Sequence, residues 1–319
     1  MVSLCDIRSA QTLLRGIAVH TPLLEWTSAA DPRKLFLKLE NQQPIGAFKL
    51  RGAYNKVASL SAEERGRGVI SYSSGNHGQG VAYAARALGL KAVIVMPRNA
   101  PKNKIAATEA LGAEVITVGP GSEERRIRAE ELAAEHGYAI VPPYNDEKII
   151  AGQGTVGLEI LEDIPEVGTV LVPVGGGGLI SGVAAAIKLS NKRVKVIGVE
   201  PALAADAQAS FRAGRIVSSP AEQVSLTLAD GLRTQSVGAL NFEHIRAYVD
   251  DIVTVSEEEI RAALEALSAN AETVAEPSGA VSLAAFLFHA GELPDTKINA
   301  AVISGGNIDP SLLADLRGE

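Results

Sequence analysis

Cysteine is almost missing: Cys5 stands alone among 319 residues. No internal disulfide is possible, and a chain of this length without bridges is expected in a reducing cytoplasm. The five histidines are scattered without zinc-ligand spacing. Neither sign of charge dominates a region. Thirty Lys and Arg face 37 Asp and Glu, a net charge of -7 with no basic stripe or acidic tail, so nucleic acid is not an expected partner. The first residues include Asp6 and Arg8 and lack the layout of a signal peptide. Residues 167–187 form a long uncharged run, and Pro173 with four successive glycines would break a membrane helix at its middle. A buried strand, a loop and a helix are expected there, and no membrane association.

The chain does have a repeating alternation. Short Val-, Ile- and Leu-rich runs at 35–39, 69–71, 92–96, 114–118, 170–174, 194–199, 252–255 and 300–303 are strand candidates. Helical spacing follows at 78–88, 102–111, 123–136, 179–190, 257–269 and 278–289. This predicts an α/β fold of open, mostly parallel sheets flanked by helices. Ser61 with Glu64 and Ser256 with Glu259 have capping-box spacing, and Gly89, Gly112 and Gly137 each follow a helical stretch. The length suggests two domains, a larger one from residues 1–67 and 146–319 and a smaller one from 68–145.

Four segments carry polar chemistry. Lys49 is a lone amine in Gly46-Ala47-Phe48-Lys49-Leu50-Arg51-Gly52-Ala53, at the expected first turn of a helix. Gly175, Gly176, Gly177, Gly178 and Leu179 follow a strand and open a helix, where close-lying backbone N–H groups can hold a phosphate; a tight turn or a dinucleotide loop is the plainer reading. Ser73, Ser74, Gly75, Asn76 and His77 also join strand to helix and can hold a carboxylate and a phenolic oxygen, or simply cap the helix. Ser304-Gly305-Gly306-Asn307 ends the last apolar strand. Parallel strands deliver such loops to their C-terminal edge, the ligand side of open α/β folds. An amine, a polar turn and a glycine loop together suggest pyridoxal phosphate held by Lys49. Glu200 and Asp206, with a backbone carbonyl between them, could ligate Mg²⁺ or another hard divalent cation, or remain solvated or capping.

These segments, with His20-Thr21-Pro22-Leu23, Lys38-Leu39-Glu40, Ala151-Gly152-Gln153-Gly154-Thr155 and Glu276-Pro277-Ser278-Gly279, resemble the fold-type II pyridoxal-phosphate enzymes, specifically the serine/threonine dehydratase and serine racemase family. The likeness runs nearly end to end. It implies Lys49 as the Schiff-base lysine, Phe48 beside the pyridine ring, Asn76 on its O3′ and Ser304 on its nitrogen. Gly175 to Gly178 would cradle the phosphate, and Ser74 would face the substrate opposite the lysine. It also implies a cation held by Glu200, the Ala204 carbonyl and Asp206, and a homodimer; Arg125 falls near a substrate position. The expected reaction is β-elimination of water from L-threonine, L-serine or a related hydroxyamino acid to a 2-oxo acid and ammonia, with amino-acid racemisation as the alternative. Ile45 and Ala47 stand where many members have Thr and Ser, and Tyr144 departs from the racemase pattern, which leaves the preferred side chain open. No regulatory domain is expected after the Ser304 turn. A nucleotide-dependent oxidoreductase would need Glu200 in the ribose role, and a non-catalytic binding protein would need Lys49 free of cofactor.

Overall fold

The computed structural model describes residues 1–317 apart from 28–31, 74, 101, 120 and 271–272. Ten strands occur among them: β1 Leu23–Trp26, β2 Lys34–Leu39, β3 Val69–Tyr72, β4 Ala92–Pro97, β5 Glu114–Val118, β6 Ala139–Ile140, β7 Thr169–Pro173, β8 Lys195–Pro201, β9 Asp251–Val255 and β10 Ile298–Ile303. They form two sheets, a six-stranded one in the order β1-β2-β10-β7-β8-β9 and a four-stranded one in the order β5-β4-β3-β6. Every pairing is parallel except β1 with β2. The α/β expectation is met. Helices cover both faces of a parallel sheet, so its inner strands are apolar throughout, and β4 and β7 are buried along their whole length.

The uncharged run at 167–187 divides as expected, into β7, the glycine turn and the first ten residues of helix Gly178–Ser190. Among the described residues no helix is long and apolar enough to cross a membrane. Both capping boxes form.

The residue pattern conceals helix Glu147–Asp163, because Gly152, Gly154 and Gly157 look like loop punctuation. Their role is close approach. A Cβ on Gly152 would lie 2.6 Å from the Gly52 Cα, and one on Gly182 would lie 2.3 Å from the Ile150 carbonyl oxygen. Three helices, Lys49–Ala58, Glu147–Asp163 and Gly178–Ser190, therefore pack almost backbone to backbone. The first also packs on helix Asn76–Leu88 beside the smaller sheet, where Ala53, Tyr54 and Val57 share a core with Val81, Ala85 and Ile94. Lys49 is thus set at the seam between the two sheets.

Candidate active site

The C-terminal ends of β3, β7 and β10 deliver Ser73, Gly175 and Ser304 to one cavity of about 380 Å³. Lys49 enters it from the first residue of its helix. The preceding segment is tied to the turn after β10: Phe48 N–H donates to the Ser304 carbonyl at 3.1 Å, and Gly306 N–H to the Gly46 carbonyl at 2.9 Å. Lys49 Nζ donates to the Pro143 carbonyl at 2.9 Å and lies 5.2 Å from the Phe48 ring centre. Burial pushes its pKa down to about 8 against the opposing pull of Glu276. Its place at the positive end of a helix acts in the same direction as burial. A fraction of the side chain is therefore a neutral amine near pH 7, able to add to a carbonyl.

Across the cavity, Gly175, Gly176, Gly177, Gly178 and Leu179 all line the wall. Gly177 has φ +91°, a left-handed conformation that admits glycine readily and turns the chain into the helix. The first helical hydrogen bond is from Ser181 N–H to the Gly177 carbonyl at 3.0 Å, so the N–H groups of Gly178, Leu179 and Ile180 precede the helical ladder. That is an anion seat with no cation in it. The Tyr144 ring lies on this loop, its Cδ1 2.3 Å from where a Gly176 Cβ would stand.

The Ser73 to His77 turn forms the third wall. Ser73 Oγ accepts from Gly75 N–H at 3.2 Å, and Ser73, Gly75, Asn76 and His77 line the cavity. Ser74 lies outside the described residues. His77 is buried with Nε2 3.1 Å from the Val141 carbonyl, and burial beside Lys49 lowers its pKa to about 3, so it is a neutral, packed ring. Asn76 Nδ2 donates to Glu276 Oε1 at 2.6 Å. Ser304 is buried on the cavity wall, 3.3 Å from the Ser278 carbonyl.

Glu200, Ala204 and Asp206 lie outside this cavity, Glu200 near the end of β8 and the other two just after it. Glu200 is buried and accepts from the Ala207 and Gln208 N–H groups at 2.9 and 2.7 Å, capping helix Asp206–Ala213. Asp206 is fully buried, and neither of its carboxylate oxygens has a hydrogen-bond partner. The Asp206 and Val237 amides lie close enough to oppose the rise in its pKa without making a bond of good geometry. Burial raises Asp206 to about 7, and burial with the neighbouring Asp206 charge raises Glu200 well above the usual carboxylate range. Among the described residues no three His, Cys, Asp or Glu cluster as ligands, so a cation here would draw on carbonyls and water as well. Two unneutralised buried carboxyls fit that need.

Several residues on the cavity wall escaped the sequence reading: Tyr72, Lys104, Glu276 and the segment 230–236. Lys104 pairs with Asp230 across the mouth. No local signal marks it, since a lysine on a polar helix usually faces water. Glu276 stood in a recognised motif without a role. Arg125 also reaches the cavity, partly buried, which lowers its pKa.

Comparison with known proteins agrees with this geometry. The family described as pyridoxal-phosphate dependent enzyme matches residues 15–305. An L-threonine ammonia-lyase of Thermotoga maritima is 48% identical over 98% of this chain and 77% of its own length. The structure of a T.th. threonine deaminase superposes with TM-score 0.91 and 43% identity, covering 97% of this chain and 99% of that one. A maize serine racemase structure gives TM-score 0.94 and 37% identity over 99% and 97%. The chain belongs to the pyridoxal-phosphate-dependent enzyme family, with the fold-type II architecture.

Proposed function

We propose that this enzyme eliminates water from L-threonine, L-serine or a related β-hydroxy amino acid, and that hydrolysis of the released enamine yields a 2-oxo acid and ammonia. The observation that carries the proposal is one cavity in which Lys49, an amine whose pKa burial lowers, faces a glycine-loop anion seat. The ammonia-lyase and deaminase names of its relatives support the substrate class.

Pyridoxal phosphate, when bound, supplies an aldehyde for amines and a ring that spreads the charge left at Cα. Lys49 would hold it covalently, Gly175 to Leu179 would take its phosphate, and Phe48, Asn76 and Ser304 would border its ring. Ser73, Gly75 and the Asn76 and His77 N–H groups are assigned to the substrate carboxylate. Lys49, as the free amine when a substrate amine has taken its place, would be the base for the Cα proton. Ser304 would be a neutral neighbour for the ring nitrogen, one that would not keep it protonated, which would favour prompt loss of the β-hydroxyl. We assign a divalent cation such as Mg²⁺ to Glu200, the Ala204 carbonyl and Asp206. The same reading divides the chain into 1–67 with 146–319 and 68–145, and takes the assembly to be a homodimer in the cytoplasm.

Racemisation is the second reading, supported by the serine racemase likeness and by Ser74 as the proton donor to the opposite face. A panel of L-threonine, L-serine and an aryl-serine, scored for oxo acid, ammonia and enantiomer, separates the two. Oxo acid and ammonia should dominate, and Ser74→Ala should remove any enantiomer while sparing elimination. Accumulation of enantiomer without ammonia would sink the lyase assignment.

A further inference from the structure

The Asn76 amide is held at both ends. Asn307 Nδ2 donates to the Ile45 carbonyl at 2.9 Å and to Asn76 Oδ1 at 2.8 Å. A backbone carbonyl only accepts, so the Asn307 atom must be the nitrogen, and the Asn76 atom facing it must be the oxygen. The other end of Asn76 is then its NH₂ group, which meets Glu276 Oε1 at 2.6 Å. Turning the amide over would set nitrogen against nitrogen at one end and oxygen against a carboxylate at the other. Asn76 comes from the helix after β3, while Glu276 and Asn307 come from the larger sheet's side, so the lock spans the seam.

The lock is itself anchored. Glu276 N–H donates to the Gly305 carbonyl at 3.0 Å. Gly46, at φ +70°, leaves room for the Asn307 side chain, whose Oδ1 lies 2.5 Å from where a Cβ on Gly46 would stand. Glu276 is buried, its second oxygen makes no hydrogen bond, and the Asn76 amide is its side-chain hydrogen-bond partner, while the charges of Lys104 and Lys49 oppose the rise in its pKa that burial causes. One NH₂ hydrogen of Asn76 is committed to Glu276, which leaves the second for the cavity.

We propose that Asn307 and Glu276 are positioning residues that fix the Asn76 amide with its NH₂ group, not its oxygen, presented to the phenolic oxygen of pyridoxal phosphate. This rests on the reading of Asn76 as the partner of that oxygen. A phenolate met by an amide oxygen would be repelled, so the orientation decides whether Asn76 helps or hinders cofactor binding.

The test is cofactor affinity and the visible spectrum of the bound cofactor, measured by titrating pyridoxal phosphate into stripped protein. Asn76→Ala and Asn307→Asp, which keeps shape but loses the donor, should each weaken binding about tenfold and shift the absorbance maximum. The double variant should bind no worse than Asn76→Ala alone, since Asn307 acts through Asn76. Because Asn307 also holds Ile45, Glu276→Leu approaches the amide from the other end and should show the same loss. Glu276→Gln keeps an acceptor oxygen and should stay within about twofold. Additive losses, or an unchanged affinity and spectrum in Asn307→Asp beside a weakened Asn76→Ala, would overturn the lock alone. An unchanged Asn76→Ala would overturn the Asn76 assignment as well, and Lys49→Ala, which should abolish the spectrum in any case, reports separately on the cofactor reading.

Discussion

Two cations sit two residues apart at the start of helix Lys49–Ala58, and the fold treats them oppositely. Arg51 is buried in a closed set of charges. Its guanidinium meets Glu40 at 2.7 Å and Glu159 at 2.6 Å, and Lys38 meets Glu159 at 2.6 Å. Thr21 Oγ1 donates to Glu40 at 2.6 Å, so the set is balanced in charge and satisfied in hydrogen bonds. These partners overcome burial: the Arg51 pKa is raised and the Glu40 pKa is lowered. Lys49 stands on the cavity wall, half-buried, donates to a single carbonyl, and its pKa falls to about 8. Buried charge is retained where it is paired and surrendered where it is not. The first arrangement holds a helix in place, and the second makes a nucleophile.

Breaking the paired member should cost most. Arg51→Met leaves the buried Glu40 without its cation and should destabilise the protein by about 3–5 kcal/mol, read from denaturant midpoints. A loss under about 1 kcal/mol would mean that the quartet contributes little. The Glu200 and Asp206 pair sharpens the comparison, being buried carboxyls that lack a cation and whose pKa values burial raises. A chelator should lower the melting temperature of the wild type by several degrees and leave Asp206→Asn unmoved; equal responses would leave the cation assignment without support.

The smallest effect is kinetic. Uptake of pyridoxal phosphate by stripped enzyme needs the neutral form of Lys49, so its rate should rise with pH and level off with a midpoint near 8, not near the ordinary lysine value of 10.5. The sign extends to stability. Between about pH 8 and 10.5 the unfolded chain keeps this proton while the folded one has released it, so cofactor-free wild type should gain stability with pH across that window relative to Lys49→Met. A flat difference would deny the depressed pKa.

The sheets, the glycine loop and Lys49 were legible because they rest on local pattern: continuous apolar strands, a Gly-rich strand-to-helix turn and a lysine without nearby carboxylates. Helix Glu147–Asp163 was not, because glycines that serve close helix packing look in sequence like glycines that break helices. Tyr72, Lys104 and the 230–236 segment were hidden for another reason. Their place on the cavity wall depends on how distant segments fold together, and nothing near Lys104 in sequence announces Asp230. Glu276 and Asn307 were visible as motif residues, but the amide they grip appears only when both ends of Asn76 are seen together.

Reduction of the purified enzyme with borohydride, followed by mass mapping of its peptides, addresses the central claim most directly. A pyridoxyl adduct on Lys49 is predicted, absent from Lys49→Ala. An active enzyme whose Lys49 peptide stays unmodified would contradict the account.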